Sequence, residues 1–398
     1  MNQSAAIGTR PARDAQVQAT RIIGLFSDLL GVGGVQEAGR MIAAALSEIV
    51  RECDGEAKFF GLNDPPGTRA ANINGCSISP RGFGRAKLRF ASAAIAQARR
   101  LGKQRGGIIL AAHPHLAVPA AVMQRFASGL KIIVVAHGIE VWTALSPVRR
   151  RALLRANLVL APSRFTAQKL IDIQGISPEK IRLLPWPLSP NFLRLADDPP
   201  SLPLPPSFPN GRIVLTVGRW DSSERYKGAD ELIRVAANLQ ATIPDVQVVL
   251  VGDGNDVPRL AQLAKSLNVS DRVHFLSGLS REQIAACYSR ADVFALPSTG
   301  EGFGIVFLEA MAFAKPVVGV AFGGTLDVIE DGINGSLVPP NGAPKLANAL
   351  SGLLADVSLR ERLGRAGAEA VRGKYCFAVF RERLRAILDE CVGEKAAR

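Results

Sequence analysis

Two doubly wound α/β domains are what this sequence predicts, on three observations. Short, continuously apolar runs alternate with segments of helical spacing, as in parallel sheets covered on both faces. The alternation occurs twice, before about residue 190 and again after residue 210. Between the two sets lies LLPWPLSPNFLRLADDPPSLPLPPSFPNG (183–211), so rich in proline that it cannot be a central strand or a helix interior.

The elements follow in order. Residues 1–20 are polar and are expected to be a disordered segment rather than a secretory leader. RIIGLFSDL (21–29) reads as a strand running into the glycine loop GVGGVQ (31–36), and QEAGRMIAAALSEIV (36–50) as the next helix. GGIILAAH, KIIVVAHG and NLVLAPS read as three buried strands, each followed by a helix-compatible segment. Residues 21–190 therefore form the first domain, and 191–210 the linker. Residues 211–370 form the second domain, built on RIVLTVGR, VQVVLVGDG, RVHFLSG, DVFALPS and PVVGVAF. The tail, 371–398, is expected to form one long amphipathic helix over about 371–390.

With 398 residues and 47% hydrophobic content the chain can bury two cores. None of its apolar runs is long enough to span a bilayer. Five scattered cysteines without a CxxC pair suit a reduced, cytosolic chain. Residues 1–200 hold 26 Lys and Arg against 13 Asp and Glu, whereas the remainder has 22 of each, so the whole net charge of +13 lies in the first half. That half could face an anionic membrane, an anionic substrate or solvent alone. Nucleic acid is disfavoured, for there is neither zinc-finger spacing nor aromatic-basic interleaving.

Two stretches carry candidate chemistry. In TGEGFGIVFLEAMAFAKPVVG (299–319) a glycine turn leads into a helix. The free amides and dipole of that helix start suit an anion or sugar hydroxyls. Glu301 lies in the turn and Glu309 eight residues on, near the same angular position of a helix, so each carboxylate could accept hydroxyls from a different end of an extended ligand. In LTVGRWDSSERYKGAD (215–230), Arg219 follows a strand and Lys227 returns near a helix start. Two cations at the carboxyl ends of a doubly wound sheet could neutralise a diphosphate leaving group without a metal. Each of these residues alone could equally be a surface or structural charge.

The motif series GR…RYKG, VGDG, VHFLSGLS, EGFGIVFLE and KPVVGVAFGGTLDVIEDGINGSLVPP, in that order over about 213–340, resembles the retaining glycosyltransferases of family 4. GVGGVQ, HGIEVW (137–142) and SRFTAQKL (163–170) extend the likeness over about 21–390. The resemblance implies the GT-B fold: two Rossmann-like domains facing each other across a cleft, with the C-terminal helix crossing back to the first domain. It implies that Arg219 and Lys227 hold the diphosphate of a nucleotide-sugar, aided by amides near Gly33 and Gly34. It also implies that Glu309 takes the ribose hydroxyls, Glu301 the hexose hydroxyls, His137 a place over the sugar and Leu279 a place beside the base. Gly302, Phe303, Gly304 and Ile305 would face the sugar or the phosphates. His137, Arg219, Lys227 and Glu301 are then the expected catalytic residues. No metal and no cofactor beyond the donor are expected. Trp186 and Leu326-Asp327 depart from the family pattern.

The expected activity is retaining transfer of a hexose, mannose or glucose, to a glycan or polyprenyl-diphosphate-linked acceptor in surface or exopolysaccharide biosynthesis. The expected place is cytoplasmic, peripheral on the inner face of the membrane. A nucleotide-sugar 2-epimerase of similar shape, a non-catalytic nucleotide-sugar scaffold and a dinucleotide dehydrogenase are the alternatives. The dehydrogenase is the weakest, because GVGGVQ lacks a third fingerprint glycine and no acidic residue stands convincingly after a second strand. His113-Pro-His115 offers only two potential metal ligands and reads as a strand-end loop; His274 reads as a satisfied strand residue.

Overall fold

The computed structural model describes residues 21–393 except 32, 74 and 103–105; the expected N-terminal disordered segment lies outside the described residues. The first half supplies strands β1 (Arg21–Phe26), β2 (Glu56–Gly61), β3 (Gly67–Thr68), β4 (Ala71–Ile73), β5 (Cys76–Ile78), β6 (Arg81–Gly82), β7 (Gly107–Ala111), β8 (Leu130–Val135), β9 (Leu158–Ala161) and β10 (Ile181–Leu183). Eight of them form one sheet in the order β10-β9-β8-β7-β1-β2-β6-β3, parallel except for β3, while β4 and β5 make a separate hairpin. The second half gives β11 (Arg212–Val217), β12 (Val246–Val251), β13 (Val273–Leu276), β14 (Val293–Leu296), β15 (Val317–Val320) and β16 (Gly335–Val338). They form a parallel sheet in the order β13-β12-β11-β14-β15-β16. The strand order reverses at β1/β7 in the first sheet and at β11/β14 in the second. Ligands of doubly wound sheets bind outside the carboxyl ends of the strands at such reversals.

Helices α1 (Gly34–Glu52), α2 (Lys87–Gly102), α3 (Ala117–Phe126), α4 (Pro147–Leu154) and α5 (Arg164–Asp172) cover the first sheet. α6 (Pro190–Asp197) follows. Then come α7 (Ala229–Leu239), α8 (Val257–Ser266), α9 (Arg281–Arg290), α10 (Ile305–Ala312), α11 (Thr325–Val328), α12 (Ala343–Ala355), α13 (Val357–Lys374) and α14 (Phe377–Gly393). Local chemistry sets several starts. Ser163 accepts from the Thr166 amide at α5, and Ser280 with Gln283 forms a reciprocal cap on α9.

Two sequence expectations need correction. The proline-dense segment is not a bare linker: Pro190 sits at a first helical position, where its missing N–H costs nothing, and α6 buries Phe192. The tail is not one helix either. α13 ends at Lys374, and α14 begins at Phe377 after a break at Tyr375-Cys376. The break lets α14 turn onto α1 of the first sheet, burying Phe380, Leu384 and Leu388. Arg381 pairs there with Glu48 at 2.9 Å, and Arg385 with Glu52. One continuous core thus runs from Ile22 and Met41 through Trp186 and Phe192 into the second sheet, while Ile23, Phe90, Ile109 and Met123 pack on the other face of the first sheet.

Candidate active site

The site begins with the second sheet's reversal point. Arg219 follows β11, and the 299–304 turn follows β14, so the two loops emerge side by side. They are fastened together: the Thr299 amide donates to the Tyr226 carbonyl at 2.9 Å, and a side chain at Gly300 would overlap the Tyr226 ring. Between Arg219 and Lys227 stands Glu224. One of its oxygens pairs with the Arg219 guanidinium and the other with Lys227 Nζ at 3.0 Å. The two cations expected from the sequence therefore converge on a single carboxylate. Burial pushes the Lys227 ammonium below its ordinary range; Glu301 opposes that shift and Arg219 adds to it. Burial also raises the Tyr226 hydroxyl, and the charge of Glu301 reinforces the effect.

Glu309 has a different neighbourhood. The Tyr288 hydroxyl donates to it at 2.9 Å. Burial raises its carboxyl to about 7, against the Tyr288 hydrogen bond and the Arg281 charge, with Glu37 of α1 pushing the same way as burial. The expectation that Glu301 and Glu309 share one helical face does not hold, because α10 starts only at Ile305, after Gly304 with φ +94°. The carboxylates nonetheless end in separate surroundings, Glu301 beside Lys227 and Tyr226, Glu309 beside Tyr288 and Arg281. Leu279 is half-buried in the loop between β13 and α9, two strands away from β11. Phe303 is buried, and Ile305 begins α10.

The first domain presents its own reversal point opposite. The loop after β1 is held by Asp64, which is 1% exposed and accepts from the Leu29 and Leu30 amides. Contrary to the sequence expectation, an acidic residue, Asp64, does follow the second strand. Its oxygens are committed to this loop, so the objection to a dinucleotide site stands on other ground. Burial and the Asp28 carboxyl raise Asp64 to about 6. Gly33 has φ +142°, and Gly34 opens α1 with space around it. Arg281 of the second domain lies 3.4 Å from Glu37 in the first turn of α1.

His137 follows β8, and Gly302 meets it. A β-carbon on Gly302 would overlap the His137 carbonyl oxygen. Ser163 Oγ donates to the Gly302 carbonyl at 2.8 Å, and Arg164 Nε pairs with Asp327 at 2.8 Å, so Asp327, a departure from the family pattern, helps to join the domains. His137 Nε2 lies 2.7 Å from the Ala112 carbonyl and donates to it. Trp186, the other departure, stacks on the His137 ring at 5.3 Å, and His113 stacks on it at 5.6 Å. Burial, followed by the neighbouring His115, His137 and Arg149, lowers His113 to about 3, so it is neutral. Among the described residues no group of three His, Cys, Asp or Glu side chains forms a metal-ligand set.

Glu224, Tyr226 and Tyr288 touch the candidate residues or their loops and are not singled out by the sequence. Glu224 is legible as the acid three residues before Lys227; Tyr288, one residue of a helix, carries no signal.

Two family models match this chain: Glycosyltransferase Family 4 over residues 40–192 and Glycosyl transferases group 1 over residues 205–370. A GDP-mannose-dependent alpha-(1-6)-phosphatidylinositol monomannoside mannosyltransferase from Mycolicibacterium smegmatis is 31% identical over 265 residues, 63% of this chain and 69% of that protein. The chain belongs to the group 1 glycosyltransferases. A D-inositol 3-phosphate glycosyltransferase from Kribbella flavida, another relative of this glycosyltransferase, is 31% identical over 55% of this chain and 53% of its own length. Among solved structures, Anabaena HepE in complex with UDP superposes with TM-score 0.68 at 20% identity, covering 93% of this chain and 100% of that one. Sucrose-phosphate synthase from Thermosynechococcus elongatus gives 0.72 at 22% identity, covering 94% and 100%. At such identities these likenesses establish the fold, two Rossmann-like domains in the GT-B arrangement, for this glycosyltransferase.

Proposed function

We propose that this glycosyltransferase moves a hexose from a nucleoside diphosphate sugar to an acceptor with retention of the anomeric configuration. One observation carries the reading: Arg219 and Lys227 converge at the second sheet's reversal point, with Glu301 beside them and His137 across the cleft. Arg219 and Lys227 take the diphosphate and stabilise its departure; the start of α10 after Phe303 and Gly304 supplies amides to the same charge. Gly33, Gly34 and Ile305 contribute backbone donors. Glu301 accepts from hexose hydroxyls, Glu309 from the ribose and Leu279 flanks the base. The acceptor hydroxyl attacks from the face that the diphosphate leaves, and the departing diphosphate takes the hydroxyl proton as the carbon–oxygen bond to the donor breaks. Closure at His137–Gly302 keeps water out. No cofactor or metal has a part in this reading.

The acceptor is proposed to be a lipid-linked glycan reached at an anionic membrane surface. α2, α3 and α4 lie side by side on the first domain. They expose Leu88 (85%), Val148 (66%) and Phe126 (48%) among Lys87, Arg89, Arg99 and Arg149–Arg151. Apolar side chains set among cations suit an anionic interface, and no helix of the described residues is long and apolar enough to cross a membrane. The relative named for a phosphatidylinositol mannoside is consistent with such an acceptor.

Incubation with UDP- and GDP-hexoses, with and without lipid-linked glycan, tests the function. Sugar appearing on the lipid only when donor and acceptor are both present supports transfer. Conversion of donor alone into its C2 epimer would favour the epimerase reading.

A further inference from the structure

The carboxylate of Glu224 stands between the two cations assigned to the diphosphate. It touches both, one oxygen each, and its side chain is only 12% exposed. Lys227 is similarly enclosed at 18%, whereas Arg219 is 70% exposed. The Glu224 backbone is fixed from behind, because its amide donates to the Asp221 carbonyl at 2.8 Å and Asp221 caps the short turn through the Ser223 amide. Its side chain reaches back to Arg219 on one side and forward to Lys227 on the other.

A diphosphate needs the same donor hydrogens. Arg offers five and Lys three, all directional, and the buried Lys227 has little room to serve two anions at once. A carboxylate left beside two phosphates is also repelled by them. We propose, on the diphosphate reading above, that Glu224 is a built-in competitor of the nucleotide. It holds Arg219 and Lys227 in their converged positions, yields them when the diphosphate arrives, and takes them back as the diphosphate leaves. Glu224 is thus a positioning residue that trades donor affinity for product release. A side chain that must be displaced before a ligand can bind lowers apparent affinity by the fraction of molecules in which it already stands aside.

The test is calorimetric titration of wild type, E224Q and K227A with UDP, GDP and inorganic pyrophosphate, after each variant's thermal unfolding has confirmed that it folds. Glutamine keeps the shape and removes the charge. About tenfold tighter nucleoside diphosphate binding by E224Q is expected, the scale of one charge-assisted hydrogen bond. Stronger product inhibition of E224Q by the same diphosphate is expected as well. Equal or weaker binding by E224Q, with wild type binding and K227A not, would overturn the competitor role and leave Glu224 a plain scaffold for the cations. E224S serves the same comparison if the amide fails to fold. If K227A binds all three ligands as wild type does, the diphosphate assignment itself is wrong and the inference falls with it.

Discussion

Gly138 of the first domain and Gly302 of the second meet backbone to backbone across the cleft: a β-carbon on Gly138 would lie 2.5 Å from the Gly302 Cα. Gly138 also has φ +151°, which disfavours any other residue. This close approach sets the spacing between His137 and Glu301. G302A should leave each domain folded but hold the cleft open. Displacements of about 1 Å can cost about 10²-fold in rate, so kcat/KM should fall by that order. Unchanged thermal unfolding with unchanged turnover would show that the approach is incidental.

Lys227 is expected to matter more than Arg219, because it is enclosed while Arg219 is largely exposed. K227A should lose about 3 kcal/mol of transition-state stabilisation, typical of one preorganised electrostatic interaction, and R219A less. Steady-state kinetics with the cognate donor checks the order.

Glu309 predicts a pH dependence. Its carboxyl is raised to about 7 from an ordinary 4.5, so between those values the folded protein holds a proton that the unfolded chain releases. Stability without ligand should therefore fall as pH climbs through that window, and E309Q should remove the fall. Donor affinity should move the other way, since only the ionised carboxylate accepts freely from two hydroxyls. Titrations at about pH 6, 7 and 8 should show donor binding tightening with pH in wild type and flat in E309Q. A flat wild-type profile would remove Glu309 from the ribose site.

α14 separates packing from charge. Leu384 is fully buried against the first domain, and L384A should cost about 2–5 kcal/mol. Arg381 pairs with Glu48 from a partly exposed position, so R381A should cost about 1 kcal/mol or less. Denaturant midpoints decide between packing and ion pairs as what holds the helix in place.

Much of this architecture is legible in the sequence because buried parallel strands announce themselves as apolar runs, as VQVVLV (β12) and KIIVV in β8 do. EAKFFG (β2) gives a weaker signal: it is short, begins half-buried and carries two charges. The helix of Pro190 is hidden because proline density reads as a break, although a proline at a first turn begins a helix equally well. At the site, Arg219, Lys227 and Glu301 are visible as charges beside glycines, and Glu309 as a charge within an otherwise apolar helix. Which of them share a neighbour is not, for convergence on Glu224 depends on the path of a short turn. Nor does spacing foretell that His113 and Trp186, far apart along the chain, both stack on the His137 ring.

A crystal structure of the protein with UDP or GDP tests the central claim most directly. The account predicts phosphate oxygens within hydrogen-bond reach of both Arg219 and Lys227, with the ribose against Glu309. A nucleotide seated elsewhere, or one whose phosphates touch neither cation, would contradict it.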